Sequence, residues 1–422
     1  EMLRKTYQIM QKTRGLVSGA GEQLWRMGET SFKRNALGHA VTLSTCPDDL
    51  WTGDPARGAD LARFALQSQN EFLCRLFSPE GSADLDPAFH NFSWLLDLRA
   101  NGTPEARRAS AKLTHLWMSG NDSPILGSTF DVATAYHRLR RVIGAYAFFE
   151  PSLSPEERSK ITAGLLHHLP SLKRTLHVGA IPLEMLYAAG GMLTIGFSTG
   201  MPGNEIAHLL RYVERAVQTL VLVDGGPVTR RPSDLPDLLR ILVELRHTFT
   251  TLSVPMPSFL PHAIDRMVPA IRALRLGNGC MATFHGGNVG NPALIDDILE
   301  HADNHGATAL TLPYTGFERL ATGAQAIVMD TGRAALATGH HASTSAFEWS
   351  CDDHVVVVNC GKHATDPLWQ DLLAATSAHS TVTLGHQDNV PVGALADVDI
   401  FREDLPRGTM IEVIHNGYQT RN

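Results

Sequence analysis

Residues 339–361 read GHHASTSAFEWSCDDHVVVVNCG, and after an insertion residues 375–384 read ATSAHSTVTL. Two strand-like runs, Ser345 to Trp349 and His354 to Asn359, flank the polar turn Cys351-Asp352-Asp353. Short β-branched and aromatic runs joined by a turn predict an antiparallel hairpin. Histidines stand at the ends of the stretch: His340 and His341 before the first run, His379 at the start of a later one. Hairpin pairing can set His341 beside Asn359, and a third strand can add His379. Imidazoles gathered at one end of a sheet suit proton transfer or metal binding. The plainer alternative is three polar residues that line up at strand ends, where such side chains are expected.

Upstream the pattern is helical. Leu235, Leu238, Leu239, Leu242 and Leu245 fall on one helix face, as do Ile264, Met267, Val268 and Ile271. Ser154-Pro155-Glu156-Glu157 reads as an N-cap followed by proline at the first helical position. Asn101-Gly102-Thr103-Pro104-Glu105 ends one helix and starts the next. The apolar stretch from Ala180 to Phe197 carries Pro182, Glu184 and glycines and reads as a buried helix pair. Near residue 305 strands take over: Thr308 to Leu312, Ala326 to Asp330, His354 to Asn359, Ser380 to Leu384 and Thr409 to His415. Helices followed by a run of strands imply packed all-α and all-β domains rather than βαβ units. The segments expected are an N-terminal helical stretch over 1–50, a helical domain over 51–304 and a strand domain over 305–422.

Composition narrows the function. A net charge of -7 argues against a nucleic-acid surface, which needs a basic excess. The local basic runs Arg138-Leu139-Arg140-Arg141 and Thr229-Arg230-Arg231 read as solvated helix faces, and His167-His168 as surface. Five cysteines without a CxxC pair form neither a disulfide framework nor a zinc knuckle, so free thiols are expected. No membrane span and no export signal is visible. A start at Glu1 and an end at Asn422 just past a strand suggest a piece of a longer protein.

The opening stretch resembles the signature of heparinase II/III-like proteins, H-x-H-A-D-x-x-S-F-E, a V-D-P-G strand end and a later A-H-N-T. The matching elements here are His340-His341-Ala342-Ser343, then Ala346-Phe347-Glu348, Val358-Asn359-Cys360-Gly361 and Ala378-His379-Ser380-Thr381. Trp94-Leu95-Leu96-Asp97-Leu98-Arg99-Ala100, Val223-Asp224-Gly225-Gly226 and Ala263-Ile264-Asp265-Arg266-Met267 are similar to an uncharacterised bacterial branch of that family. The resemblance spans roughly Trp51 to Tyr418. It implies an incomplete α/α toroid followed by an antiparallel β-sandwich, the latter short of strands if the chain stops at Asn422. It also implies a periplasmic polysaccharide lyase acting on an acidic polysaccharide or oligosaccharide, and a divalent metal, zinc or calcium, in the sandwich.

Such lyases work by β-elimination. The uronate carboxylate is neutralised, a base takes the adjacent C5 proton, and an acid protonates the departing oxygen. The family's Asn-His neutraliser is replaced here by Gly179-Ala180-Ile181-Pro182-Leu183. The family's Tyr after the Asp-Gly turn is missing from the run Pro227 to Leu235. The expected replacements are His341, His340 and His285 as proton carriers and Arg230 as the carboxylate clamp. Arg231, Asn288 and Tyr187 are the expected substrate contacts, and His341, Asn359 and His379 the metal set, although Asn is a weak ligand. For each the structural alternative stands beside it: a solvated helix start for the arginines, a tight turn for His285-Gly286-Gly287-Asn288, a core position for Tyr187. A catalytically silent protein that binds glycans or a partner on the same scaffold is the competing reading.

Overall fold

The computed structural model describes residues 42–77, 87–120, 131–177, 179–333, 341–363, 366–385, 387–390 and 396–418. Most of the expected N-terminal helical segment, and His340, lie outside these residues. The chain divides into two compact units, residues 1–213 and 214–422. The division falls inside the helix Gly203–Leu220 rather than at the change from helix to strand near residue 305.

The first unit is helical. Its main helices are α1 (Pro55–Gln67), α2 (Asn70–Phe77), α3 (Trp94–Asn101), α4 (Pro104–Gly120), α5 (Val132–Phe149), α6 (Pro155–His167), α7 (Leu169–Thr175) and α8 (Pro182–Thr199). The start of α6 is a full capping box, with Ser154 accepting from Glu157 N and the Glu157 side chain accepting from Ser154 N. Gly102 ends α3 at φ 70, where a side chain would be strained. Residues 182–199 form one helix, not the expected pair. Its glycines serve contact rather than turning: a Cβ on Gly190 would come 2.9 Å from the Tyr136 ring.

The run Arg138 to Arg141 is not a solvated face. Arg138, Arg140 and Arg141 are all buried in α5. Arg141 pairs with Asp49 at 2.5 Å, and Arg138 lies 4.2 Å from the Trp117 ring and 2.9 Å from His168 Nε2. His168 is therefore buried too, contrary to the surface expectation.

The second unit holds α9 (Asp234–Thr251), α10 (Phe259–Ala273) and α11 (Pro292–Ala302), followed by the strands. The leucines Leu235, Leu238, Leu239, Leu242 and Leu245 of α9 are buried, as the periodicity requires. The strands are β1 (Thr311–Leu312), β2 (Phe317–Thr322), β3 (Gln325–Asp330), β4 (Phe347–Cys351), β5 (His354–Val357), β6 (Val398–Leu405) and β7 (Gly408–His415). They form an antiparallel five-stranded sheet in the order β1-β2-β3-β4-β5 and a separate β6–β7 hairpin. Arg402 of β6 ties the hairpin to the larger sheet through Glu318, at 2.6 Å.

The turn at Asp352, with φ 49, joins β4 to β5 where the sequence places it. Ser380 to Leu384 is not a strand. There side chains replace ladder bonds: Phe347 N donates to Ser380 Oγ at 2.9 Å and Thr381 Oγ1 donates to Thr344 O at 2.9 Å. The Asp-Gly-Gly turn owes its composition to close approach. Asp224 accepts from Tyr314 N and Thr315 N at 2.8 and 2.7 Å, and a Cβ on Gly225 would stand 1.8 Å from Arg266 O. All five cysteines are free, and no helix among the described residues is long and apolar enough to cross a membrane.

Candidate functional site

The last residue of β3 organises the site. Asp330 is 1% exposed, and its two carboxylate oxygens face different partners. Oδ1 accepts from Arg230 Nη2 and, at 3.2 Å, from Gly332 N. Oδ2 accepts from Ser343 Oγ at 2.7 Å and lies 3.1 Å from His285 Nε2. Burial alone would raise this carboxyl's pKa. The Arg230 guanidinium and His285 outweigh it and hold the group below the usual carboxylate range.

Arg230 is committed to the protein interior. Besides Asp330, it donates from Nε to Thr315 O at 2.7 Å, from Nη2 to Gly316 O at 3.1 Å, and from Nη1 to Arg333 O. Gly332 keeps this slot open, since a Cβ there would come 2.5 Å from Nη2. The expectation of an exposed clamp for a uronate carboxylate is thereby corrected. The arginine is held in the interior, because three carbonyls and a carboxylate take four of its five N–H donors.

A second polar chain runs beside the first. His341 Nδ1 lies 3.3 Å from His379 Nε2, and His379 Nδ1 lies 3.1 Å from Asn359 Oδ1. The Asn359 orientation is fixed on both sides: Oδ1 accepts from Ser380 N at 3.2 Å, while Nδ2 donates to Glu348 Oε1 at 3.1 Å. His379 must then carry its proton on Nδ1 and accept at Nε2. His341 donates from Nδ1, which leaves its Nε2 as the basic nitrogen. Burial pushes the His379 pKa down to about 4, helped by the neighbouring His285, so the ring is neutral at pH 7. His285 and His341 have ring centroids 6.3 Å apart.

Glu348 ends this chain. Its Oε1 accepts from Thr283 N, Thr283 Oγ1 and Asn359 N at 2.9, 2.7 and 3.2 Å, and Oε2 has no partner among the described residues. Burial raises its pKa against those hydrogen bonds. The sequence alone marks neither Asp330 nor Thr283, and shows Glu348 only as part of a motif. The available signal was an Asp closing a β-branched run just before Thr331-Gly332, where a strand end delivers a side chain to a site.

The other expected contacts are dispersed. Arg231 donates from Nε to His285 O at 3.1 Å and holds that backbone, with part of its side chain still exposed. His285 sits at φ 54 and Gly286 at φ 73, so the turn reading of this loop is correct alongside the polar role. Asn288 is a turn residue rather than a substrate contact, its side chain accepting from Gly290 N at 3.0 Å. Tyr187 belongs to the first unit, 8% exposed, with its ring centroid 5.5 Å from that of Tyr136 and 5.8 Å from that of His137. It is a core residue.

The expected metal set does not fit an ion. His379 turns Nε2 to His341 and Nδ1 to Asn359, which are opposite edges of one ring. One ion cannot take donors from both edges, whereas zinc or calcium needs ligands converging on a point. Among the described residues no group of three or more His, Cys, Asp or Glu could hold a metal.

Residues 304–422 match the family Heparinase II/III-like, C-terminal. The FtsZ-localized protein C of Caulobacter vibrioides is 27% identical over 440 residues, which cover 96% of this chain and 74% of that protein. A heparinase III crystal structure matches with a TM-score of 0.59 at 12% identity, covering 93% of this chain and 74% of its own. Heparan sulfate lyase HepC from Pedobacter heparinus gives 0.56 at 14%, covering 98% and 74%. At these identities the likeness establishes the fold, an α/α toroid and an antiparallel β-sandwich. The sequence likeness to the heparinase II/III-like family is carried by residues 304–422.

Proposed function

We propose that this chain uses a polysaccharide-lyase scaffold for binding rather than for β-elimination. The carrying observation is Arg230, whose guanidinium is occupied by Asp330 and the carbonyls of Thr315, Gly316 and Arg333. Removing a proton next to a carboxylate requires that the carboxylate's charge be neutralised, and a buried arginine already paired with Asp330 and held by three carbonyls is not placed to do so. The absent Asn-His pair and the absent tyrosine point the same way. So does the relative named for its localisation with FtsZ, which aligns with 96% of this chain. FtsZ is accordingly the first partner to test.

The test has two arms. The purified chain is incubated with heparin, heparan, alginate and glucuronan polymers, and the ultraviolet absorbance of the unsaturated product is followed. No rise is expected. Co-sedimentation with FtsZ polymers is expected to bring the chain into the pellet. An absorbance rise with any of the polymers overturns the binding reading.

One observation favours the second reading, a lyase acting on a uronic-acid glycan in the periplasm. The hydrogen-bond order Asn359, His379, His341 leaves His341 Nε2 as a base, and Arg231 keeps part of its guanidinium exposed. If product forms, loss of the rate in His341→Ala with retention in His379→Ala would assign the base to His341.

A further inference from the structure

The second unit carries a basic cleft that plays no part in the site above. It has a volume of about 470 Å³, is lined by Arg272, Arg275 and Arg319, and is floored by the turn Gly277-Asn278-Gly279. That is the size of a small-molecule pocket. The three guanidinium groups are held by backbone carbonyls. Arg319 donates from Nη1 to Ala273 O and Arg275 O at 2.8 and 2.6 Å. Arg275 donates from Nε to Gly279 O at 2.9 Å, and Arg272 donates to Asn304 O and Gly306 O. Carbonyls orient a guanidinium without cancelling its charge.

Among the described residues one carboxylate lines the cleft. Asp296 pairs with Arg275 at 2.8 Å from a position 64% exposed to solvent. Arg319 has no carboxylate partner among the described residues, and burial alone lowers its pKa. Its Nε and Nη2 donors are left over by the carbonyl contacts. A half-buried, uncompensated arginine flanked by two more, each already fixed in orientation, is a preorganised receptor for a planar or tetrahedral oxyanion.

We propose that this cleft binds a phosphate or sulfate group, with Arg319 and Arg275 as its principal donors and Arg272 as the third. The proposal is independent of what the histidine site does. Binding is read by thermal shift and calorimetry on the whole chain, with inorganic phosphate, inorganic sulfate, glucose 6-phosphate and glucose as probes, at constant ionic strength set with chloride. Saturable binding of phosphate or sulfate, and none of glucose, is expected. A tighter Kd for glucose 6-phosphate than for phosphate would mark a group carried on a small molecule; equal values would mark the free ion.

Arg319→Gln could disturb the carbonyls it caps, so the decisive variants are Arg275→Gln and Asp296→Asn. The first is expected to weaken phosphate about tenfold or more, as for loss of a charge-assisted hydrogen bond. The second removes the competing carboxylate and is expected to tighten phosphate severalfold. Equal affinity in wild type and both variants, or no saturable effect beyond that of chloride, overturns the proposal.

Discussion

Arg230 and Asp330, separated by 100 residues of sequence, form a buried ion pair in which the arginine is 7% and the aspartate 1% exposed at the side chain. Each leans on further partners, so the pair is a joint between the Asp-Gly turn region and the end of β3. Removing one member strands the other charge in the interior. Arg230→Gln is expected to destabilise the second unit by about 3–5 kcal/mol. The check is the urea midpoint of the variant against wild type. An exposed substrate clamp would leave the midpoint unchanged, and that result would return Arg230 to the list of ligand-binding residues.

The same pocket sets an acid dependence. The folded pKa of His379 is about 4 against an ordinary value of 6.5. The unfolded chain therefore binds this proton more readily, and stability falls as pH drops from 6.5 towards 4. The loss attributable to the ring is about 3 kcal/mol at most. Asp330 acts at lower pH, its depressed pKa giving stability that is full above the ordinary carboxylate range and lost below it. Unfolding free energies of wild type and His379→Gln, measured by urea at several pH values, are expected to show a shallower slope for the variant across that window. His168 in the first unit, at about 3, titrates in both proteins and cancels in the difference. Parallel slopes would mean that His379 is not buried as a neutral ring.

Much of this architecture is visible in local sequence. The leucine spacing of α9, the capping box at Ser154 and the turn at Asp352 each follow from chemistry within a few residues. The helix-to-strand change and the histidine pair His341–His379 are legible for the same reason, as periodicity and motif. The rest depends on partners far along the chain. Nothing near Arg230 announces that Thr315, Gly316, Asp330 and Arg333 will surround it, so its local sequence reads as a solvated helix start. The burial of Arg138 and Arg141 is hidden for the same reason, since the stacking on Trp117 and the pairing with Asp49 are tertiary facts. Ser380 looks like a strand residue until its side chain is seen taking Phe347 N.

Gly286 lies beneath the basic nitrogen of His341. A Cβ at this position would come within 3.0 Å of His341 Nε2, and the backbone stands at φ 73. Gly286→Ala therefore meets both strain and crowding, and is expected to cost about 1–3 kcal/mol. It should also displace the His341 ring, seen as a change in that residue's imidazole NMR resonances with His168 unmoved. An alanine that leaves both stability and the His341 signals unchanged would show that the ring does not pack on this glycine.

Asn359 stands where the family signature has an aspartate, and replacing it offers a direct test of the metal question. Its Nδ2 donates to Glu348 Oε1 at 3.1 Å while Oδ1 accepts from His379 and Ser380. Asn359→Asp would trade a donor for a second anionic oxygen against Glu348, a carboxyl that burial already disfavours as an anion. The substitution is expected to destabilise by about 1–3 kcal/mol, and zinc or calcium should not recover the loss. Wild type should likewise show the same melting temperature with chelator, zinc or calcium, since its two histidines and one amide do not converge on a point. A melting temperature that rises in the aspartate variant only when zinc is added would show that the two imidazoles can rotate onto one ion, and would reverse the assignment of this trio as a hydrogen-bond chain.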